Sequence, residues 1–158
     1  MASFEASVKQ FTVEAKENAS LIFRAAADKL HKDVITPKGS QNRDTIGPAI
    51  DQGGNLPHDT GNLGRSLAVS TTDFPEVDAG LASYSDMSST DSFTISGLDF
   101  GDTLYMGFQA VYAPRMNYGF VGTDSLGRQY NQSGHFFVEL SAAKWQQFVS
   151  EAESQYGE

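Results

Sequence analysis

The chain has 158 residues, no cysteine, 39% apolar and 20% charged residues, and 20 acidic side chains against 11 basic ones for a formal charge of −9. That composition is the one expected of a single soluble domain over residues 1–158, and it excludes disulfides, thiolate metal ligands and a cysteine nucleophile. No apolar run of about 18 residues could cross a bilayer and no basic and apolar leader opens the chain, so the expectation is synthesis in the cytoplasm with no membrane partner. The excess of carboxylates argues against gripping nucleic acid, whose affinity comes chiefly from clustered Lys and Arg.

From the amino end, apolar residues recur as Phe4, Val8, Phe11, Ala15, Ala19, Ile22, Ala26 and Leu30, a step of three or four that predicts one face of a helix. Ser3 is placed to cap it. Pro37 lacks an N–H and pushes the residue before it out of the α region, so the helix closes at Val34 to Thr36. Such a helix is about 46 Å long. Two readings follow: a long core helix with a kink, or a helix that turns part of its face to another subunit.

Residues 37–57 are rich in Gly, Pro, Asn, Gln and Asp and read as a long loop. After it, Asp59 or Thr60 is placed to cap a short helix running through Leu67, and Leu67, Val69 and Thr71 then alternate as a strand begins. Asp73, Glu76, Asp78, Asp86, Asp91, Asp99 and Asp102 follow with no Lys or Arg among them, the first part forming an acidic insertion over residues 72–92. Within this segment Phe93 and Ile95 alternate with polar residues, which predicts a strand, and Thr103 to Val111 reads as its hairpin partner across a Leu98–Asp102 turn. Phe93 and Ile95 should point inward, and the carboxylates should face solvent or a lumen. From Gly134 onward Val138, Ala142, Trp145, Val149, Ala152 and Tyr156 repeat at helical spacing until Gly157. The fold class expected is α+β, with a long N-terminal helix and a C-terminal helix packed on a small, mainly antiparallel sheet.

Catalytic and metal motifs are sparse. Asp99-Phe100-Gly101 matches the metal-holding triplet of protein kinases, without a kinase's length or its other motifs. Asp51, Gly53 and Asn55 begin like a calcium loop, but Leu56 and Asn62 stand where Gly and Glu are needed. His31, His58 and His135 lack the i, i+4 spacing that sets two imidazoles on one helical face. Neither a nucleophile elbow nor a phosphate loop is present, so no enzyme activity, cofactor or metal is expected. Asn18 and Asn131 head sequons that matter only in a secreted eukaryotic chain. What stands out instead is Val111 to Phe120, where aromatics, a Met and an Arg surround Pro and Gly, the residue types enriched at interface centres. Arg128 and Tyr130 add a second such pair. Arg65, Tyr112, Arg115, Asn117, Tyr118, Arg128 and Tyr130 are thus the interface candidates, with at least one of the three arginines expected to meet a neighbour's carboxylate. The other reading has the aromatics fill the chain's own core while the arginines pair with nearby acids.

Leu56-Pro57-His58-Asp59-Thr60-Gly61-Asn62-Leu63-Gly64-Arg65-Ser66-Leu67, followed by Tyr112-Ala113-Pro114, Asn117-Tyr118-Gly119 and a closing helix behind Phe136-Phe137, resembles the tail-component family of long-tailed double-stranded DNA bacteriophages. That is the lambda tail protein Z type of minor tail protein, found at the head–tail joint. The family often has Val at the position of His58 and Glu at that of Asn117, and the acidic insertion here is longer. By their own chemistry the motif residues are turn formers: Asp59 and Thr60 as caps, Gly61 for a close turn, Leu63 as a core anchor, Pro114 and Gly119 as strand ends. The resemblance implies a virion structural protein at the tail or neck, assembled in the host cytoplasm. It would form a homo-oligomeric, hexameric ring in the head–tail connector, acting in tail completion and binding other neck, connector and tail-tube proteins. Genomic DNA would pass through without adhesion. The alternatives are a tail terminator ring capping the tail tube and, from another class, a small intracellular hydrolase or ligand-binding domain with Asp99 and Asp102 as an acid–base pair.

Overall fold

A computed structural model describes residues 3–38 and 53–157. The centre of the expected loop and the first position of the calcium-like stretch, Asp51, lie outside the described residues.

Helix α1 (Phe4–Ile35) is continuous over 32 residues. Ser3 caps it, its hydroxyl accepting from the Ala6 amide at 3.3 Å, and Thr36 with Pro37 ends it, as expected. Only its carboxyl half is buried, at Ser20, Ala26, Ala27, His31 and Val34. The amino half is exposed, with Phe4 86% and Phe11 70% accessible. The face read from the sequence is therefore two faces in series, one inside the fold and one outside it.

Three two-stranded ribbons stand where one small sheet was expected. Strands β1 (Pro37–Lys38) and β2 (Leu56–Pro57) pair in parallel. After the short helix α2 (Asn62–Arg65), strand β3 (Leu67–Ser70) pairs antiparallel with β4 (Tyr105–Phe108), Leu67 opposite Phe108 and Ser70 opposite Tyr105. Strands β5 (Gly119–Thr123) and β6 (Gln129–Ser133) form an antiparallel hairpin. The architecture is α+β, as the sequence predicts.

The hairpin expected around Leu98–Asp102 is not present. Ser88–Ser96 is a helix, α3, and β4 pairs with β3, more than thirty residues upstream. The reason is a buried polar pair. Asp91, one helical turn before Ile95, faces inward with it, and its Oδ2 lies 3.1 Å from His31 Nε2 on α1, both side chains being buried. A buried carboxylate is tolerated only with such a partner. Asp91 is thus an exception to the expectation that the acidic segment faces solvent; Asp73, Glu76, Asp86, Asp99 and Asp102 are exposed. Ile95 is 2% accessible and Phe93 80%, so only the first points to the core.

Helix α4 (Ala113–Tyr118) contains Pro114 in its first turn. Pro114 therefore starts a helix instead of ending a strand, because the first-turn amides have no intrahelical acceptor to lose. The closing helix is two helices, α5 (Phe137–Ala142) and α6 (Trp145–Tyr156), and Lys144 at the junction donates to Asp33 Oδ1 at 2.6 Å on α1.

Three apolar clusters meet along the carboxyl half of α1. Val34 joins Leu56, Leu63, Leu67, Tyr84, Ala110, Ala113 and Phe137; Ala26 joins Phe148 and Ala152 of α6; Ala27 joins Ile95 and Leu98. Among the described residues no helix is long and apolar enough to cross a membrane.

The helical assignment of Ser88–Ser96 gives opposite expectations for two neighbouring side chains. Ile95→Ala should cost about 2–5 kcal/mol, while Phe93→Ser should stay within about 0.5 kcal/mol, both measured by denaturant unfolding. Equal losses at the two positions would restore a strand with both residues on one inward face.

Candidate interaction surface

The two sequence motifs fold against one another. Gly61, at φ +77°, turns the chain into α2, and a Cβ there would stand 3.0 Å from Arg65 Nη1. Asp59 is exposed and does not cap this helix; the Asn62 amide donates to the Thr60 hydroxyl at 3.4 Å. Leu63 is buried, as expected. Asn62 Nδ2 donates to the Tyr112 hydroxyl at 3.1 Å, and its Oδ1 accepts from the Tyr84 amide at 2.8 Å, which ties the first motif to the second. Arg65 is an internal brace: its Nε donates to the Tyr84 carbonyl at 2.9 Å and its Nη1 to the Thr60 carbonyl at 3.2 Å.

Downstream, α4 delivers Arg115 and Asn117 to the β5–β6 hairpin and to α5. The Arg115 guanidinium lies 4.1 Å from the Phe120 ring centroid and 4.5 Å from that of Tyr130. Both distances suit attraction between a cation and an aromatic face, worth about 0.5–1 kcal/mol at exposed sites. Arg115 makes no ion pair among the described residues. Arg128 instead pairs with Asp124 at 2.7 Å across the hairpin turn. Of the three arginines, then, only Arg128 has an ion pair among the described residues; Arg65 is held by backbone carbonyls and Arg115 by aromatic faces.

Asn117 is buried and caps α5 from a distance. Its Oδ1 accepts from the Val138 amide at 3.2 Å, its Nδ2 donates to Glu139 Oε2 at 2.8 Å, and its carbonyl accepts from the Phe136 amide at 2.9 Å. These bonds hold Phe136 at φ +50°, the left-handed region that a bulky side chain seldom adopts. Gly119 and Gly134 make the crossing possible: a Cβ on Gly119 would stand 2.4 Å from the Gln132 carbonyl oxygen, and one on Gly134 2.5 Å from that of Asn117.

Two carboxylate–phenol pairs close this unit. The hydrogen bond from Asn117, then that from Tyr118, holds Glu139 below the usual carboxylate range, and Tyr118 is raised in return by its bond to Glu139. Burial would raise Asp124, but hydrogen bonds from Arg128, Leu126 and Tyr130 outweigh it and leave its carboxyl lowered. Tyr130 is raised by burial and then by its hydrogen bond to Asp124.

Around these residues Tyr118, Val121, Leu126, Phe136 and Leu140 are exposed. Of these, Val121, Leu126, Phe136 and Leu140 give no surface signal in the sequence, because each sits where a core residue would be equally at home. Between α1, the β3–β4 ribbon and α5–α6 runs an apolar groove of about 420 Å³, lined by Phe23, Leu30, Phe74, Tyr105, Val138 and Trp145 among others. A smaller cleft of about 250 Å³ gathers His31, His58, Arg65, Asp86 and Asp91. Asp99 and Asp102 close a turn: Asp99 pairs with Arg24 at 2.9 Å, and Asp102 Oδ2 accepts from the Asp99 amide at 2.7 Å. No group of three His, Asp or Glu converges as a metal site among the described residues. Comparison with family models, curated proteins and solved structures finds no match.

The phenol shifts fix a sign. A phenol whose pKa is raised on folding contributes stability that is present below the ordinary value of 10.0 and is lost as pH climbs through the raised one. In a tyrosine absorbance titration Tyr118 and Tyr130 should therefore ionise late, and Tyr118→Phe and Tyr130→Phe should each remove one late phenol. Ionisation of both at the ordinary pH would mean that their bonds to Glu139 and Asp124 do not form.

Proposed function

We propose that this chain is an assembly subunit, a virion structural protein of a long-tailed phage that closes into a hexameric ring at the head–tail joint and binds neighbouring neck and tail proteins. The observation that supports assembly is the amino half of α1, a capped helix that presents Phe4 and Phe11 to water beyond the core it helps to build. Contiguous exposed apolar patches on small subunits mark places where another chain sits. The Asp59-Thr60-Gly61 and Tyr112-Ala113-Pro114 motifs, which meet through Asn62 and Tyr112, supply the likeness to phage tail components. Exposed carboxylates at Asp73, Glu76, Asp86 and Asp102 suit a passage that repels phosphate and lets DNA through. Position as a tail terminator ring rests on the same surfaces.

A second reading, a small hydrolase or ligand-binding domain, is favoured by the cleft in which the buried His31–Asp91 pair faces His58 and Arg65. Turnover above buffer that vanishes in His31→Gln while the fold persists would move the assignment there. For the virion reading, particles grown from a genome carrying an epitope-tagged copy of this gene should show the tag in several copies at the neck by electron microscopy. Its absence from purified particles would overturn the reading.

A further inference from the structure

We propose that the amino half of α1 of one copy seats in the apolar groove of a second copy, with Phe4 and Phe11 entering it and Lys9 and Lys16 meeting the acidic lip at Asp73 and Glu76. The proposal rests on the assembly reading and names the surfaces that join its subunits.

Phe4, Val8, Phe11 and Ala15 stand at i, i+4, i+7 and i+11 and so lie along one side of the helix. The helix is formed to its tip, with the Ser3 cap and a Gln10–Glu14 hydrogen bond of 2.8 Å, yet nothing among the described residues covers that stripe. It cannot reach its own groove. The same helix supplies one wall of the groove through Phe23, Ala27, Leu30 and Val34, and Phe4 lies nineteen residues, about 28 Å of helix rise, before Phe23. Only a second copy brings stripe and groove together.

The groove is chemically suited to that occupant. Its lining is almost wholly aromatic and aliphatic, with Trp145 inside and Phe74 exposed at the lip, resting edge-on against Tyr105 at 4.9 Å. Aromatic side chains bury about 150–250 Å² each, so two phenylalanines with Val8 supply a large share of the roughly 800 Å² that each side of a stable interface buries. Charge fixes the orientation. Lys9 and Lys16, two turns apart on one flank of the stripe, make no ion pair among the described residues; neither do Asp73 and Glu76, which bracket Phe74. Glu5 shares the lysines' flank, which still carries two cations to one carboxylate, whereas Glu14 and Glu17 occupy the opposite flank, so seating the helix the other way round would set only carboxylates against the acidic lip.

The test uses two full-length variants, Phe4→Ser/Phe11→Ser, which spoils the stripe, and Val138→Glu, which spoils the groove, each checked for native circular dichroism. Each alone should be monomeric by native mass spectrometry. Their equimolar mixture should form a one-to-one complex, with a blue shift from Trp145, the only tryptophan, in the chain whose groove is intact. Lys9→Glu/Lys16→Glu should weaken wild-type association severalfold, and adding Asp73→Lys/Glu76→Lys should restore it. A mixture that stays monomeric, or Val138→Glu assembling as tightly as wild type, overturns the contact. A closed pair of copies joined by this contact would support it and count against the ring alone.

Discussion

Everything in this structure hangs on the close packing of the carboxyl half of α1. Ala26 and Ala27 are adjacent and buried, and each belongs to a different apolar cluster, with Val34 two turns on in a third. Side chains this small let α6 approach from one side and α3 from the other, so a single helix serves as the common wall of the core. The same geometry uses up the inside. Helix α1 is longer than the core it walls, and its first four turns have no element to pack against among the described residues. Exposed Phe4 and Phe11 follow directly from that mismatch of length.

Buried polar groups then fix what apolar packing leaves loose. The His31–Asp91 pair sets the rotation of α3 on α1, and Asn117 sets the entry of α5 against α4. A partner lost from a buried pair costs far more than a surface bond, so each contact is worth more as a constraint on position than as net stability. The β5–β6 hairpin, anchored by Arg115 between Phe120 and Tyr130 and turned by Asp124, is held by charge and aromatic contact more than by burial.

How much of this could be read from the sequence follows from how local each signal is. Helix α1, with its Ser3 cap and Pro37 stop, and the helical spacing of most of α5–α6 stand out in the sequence. Helix α3 does not, because its inward face holds Asp91 one turn from Ile95, and a carboxylate on a core face looks like solvent until His31, sixty residues away, is beside it. Phe93 and Ile95 then mimic strand alternation. Pro114 is ambiguous for a similar reason: a strand end and a helix first turn both tolerate it. Arg65, Arg115 and Arg128 share one composition signal but have three fates, brace, aromatic clamp and turn pair, decided by partners at Tyr84, Phe120 and Asp124. Asn117 as a distant cap has no local signature at all.

Helix α1 is thus one helix with two roles, core wall in its carboxyl half and contact surface in its amino half. Amide hydrogen exchange along α1, read at low and high protein concentration, separates the two. Dilute protein should protect the amides from Ser20 to Val34 close to the level of global unfolding, while those from Val8 to Lys16 exchange by local fraying and become protected only as copies associate. Equal, concentration-independent protection along the whole helix in the monomer would show that the amino half is already packed and has no contact surface to offer.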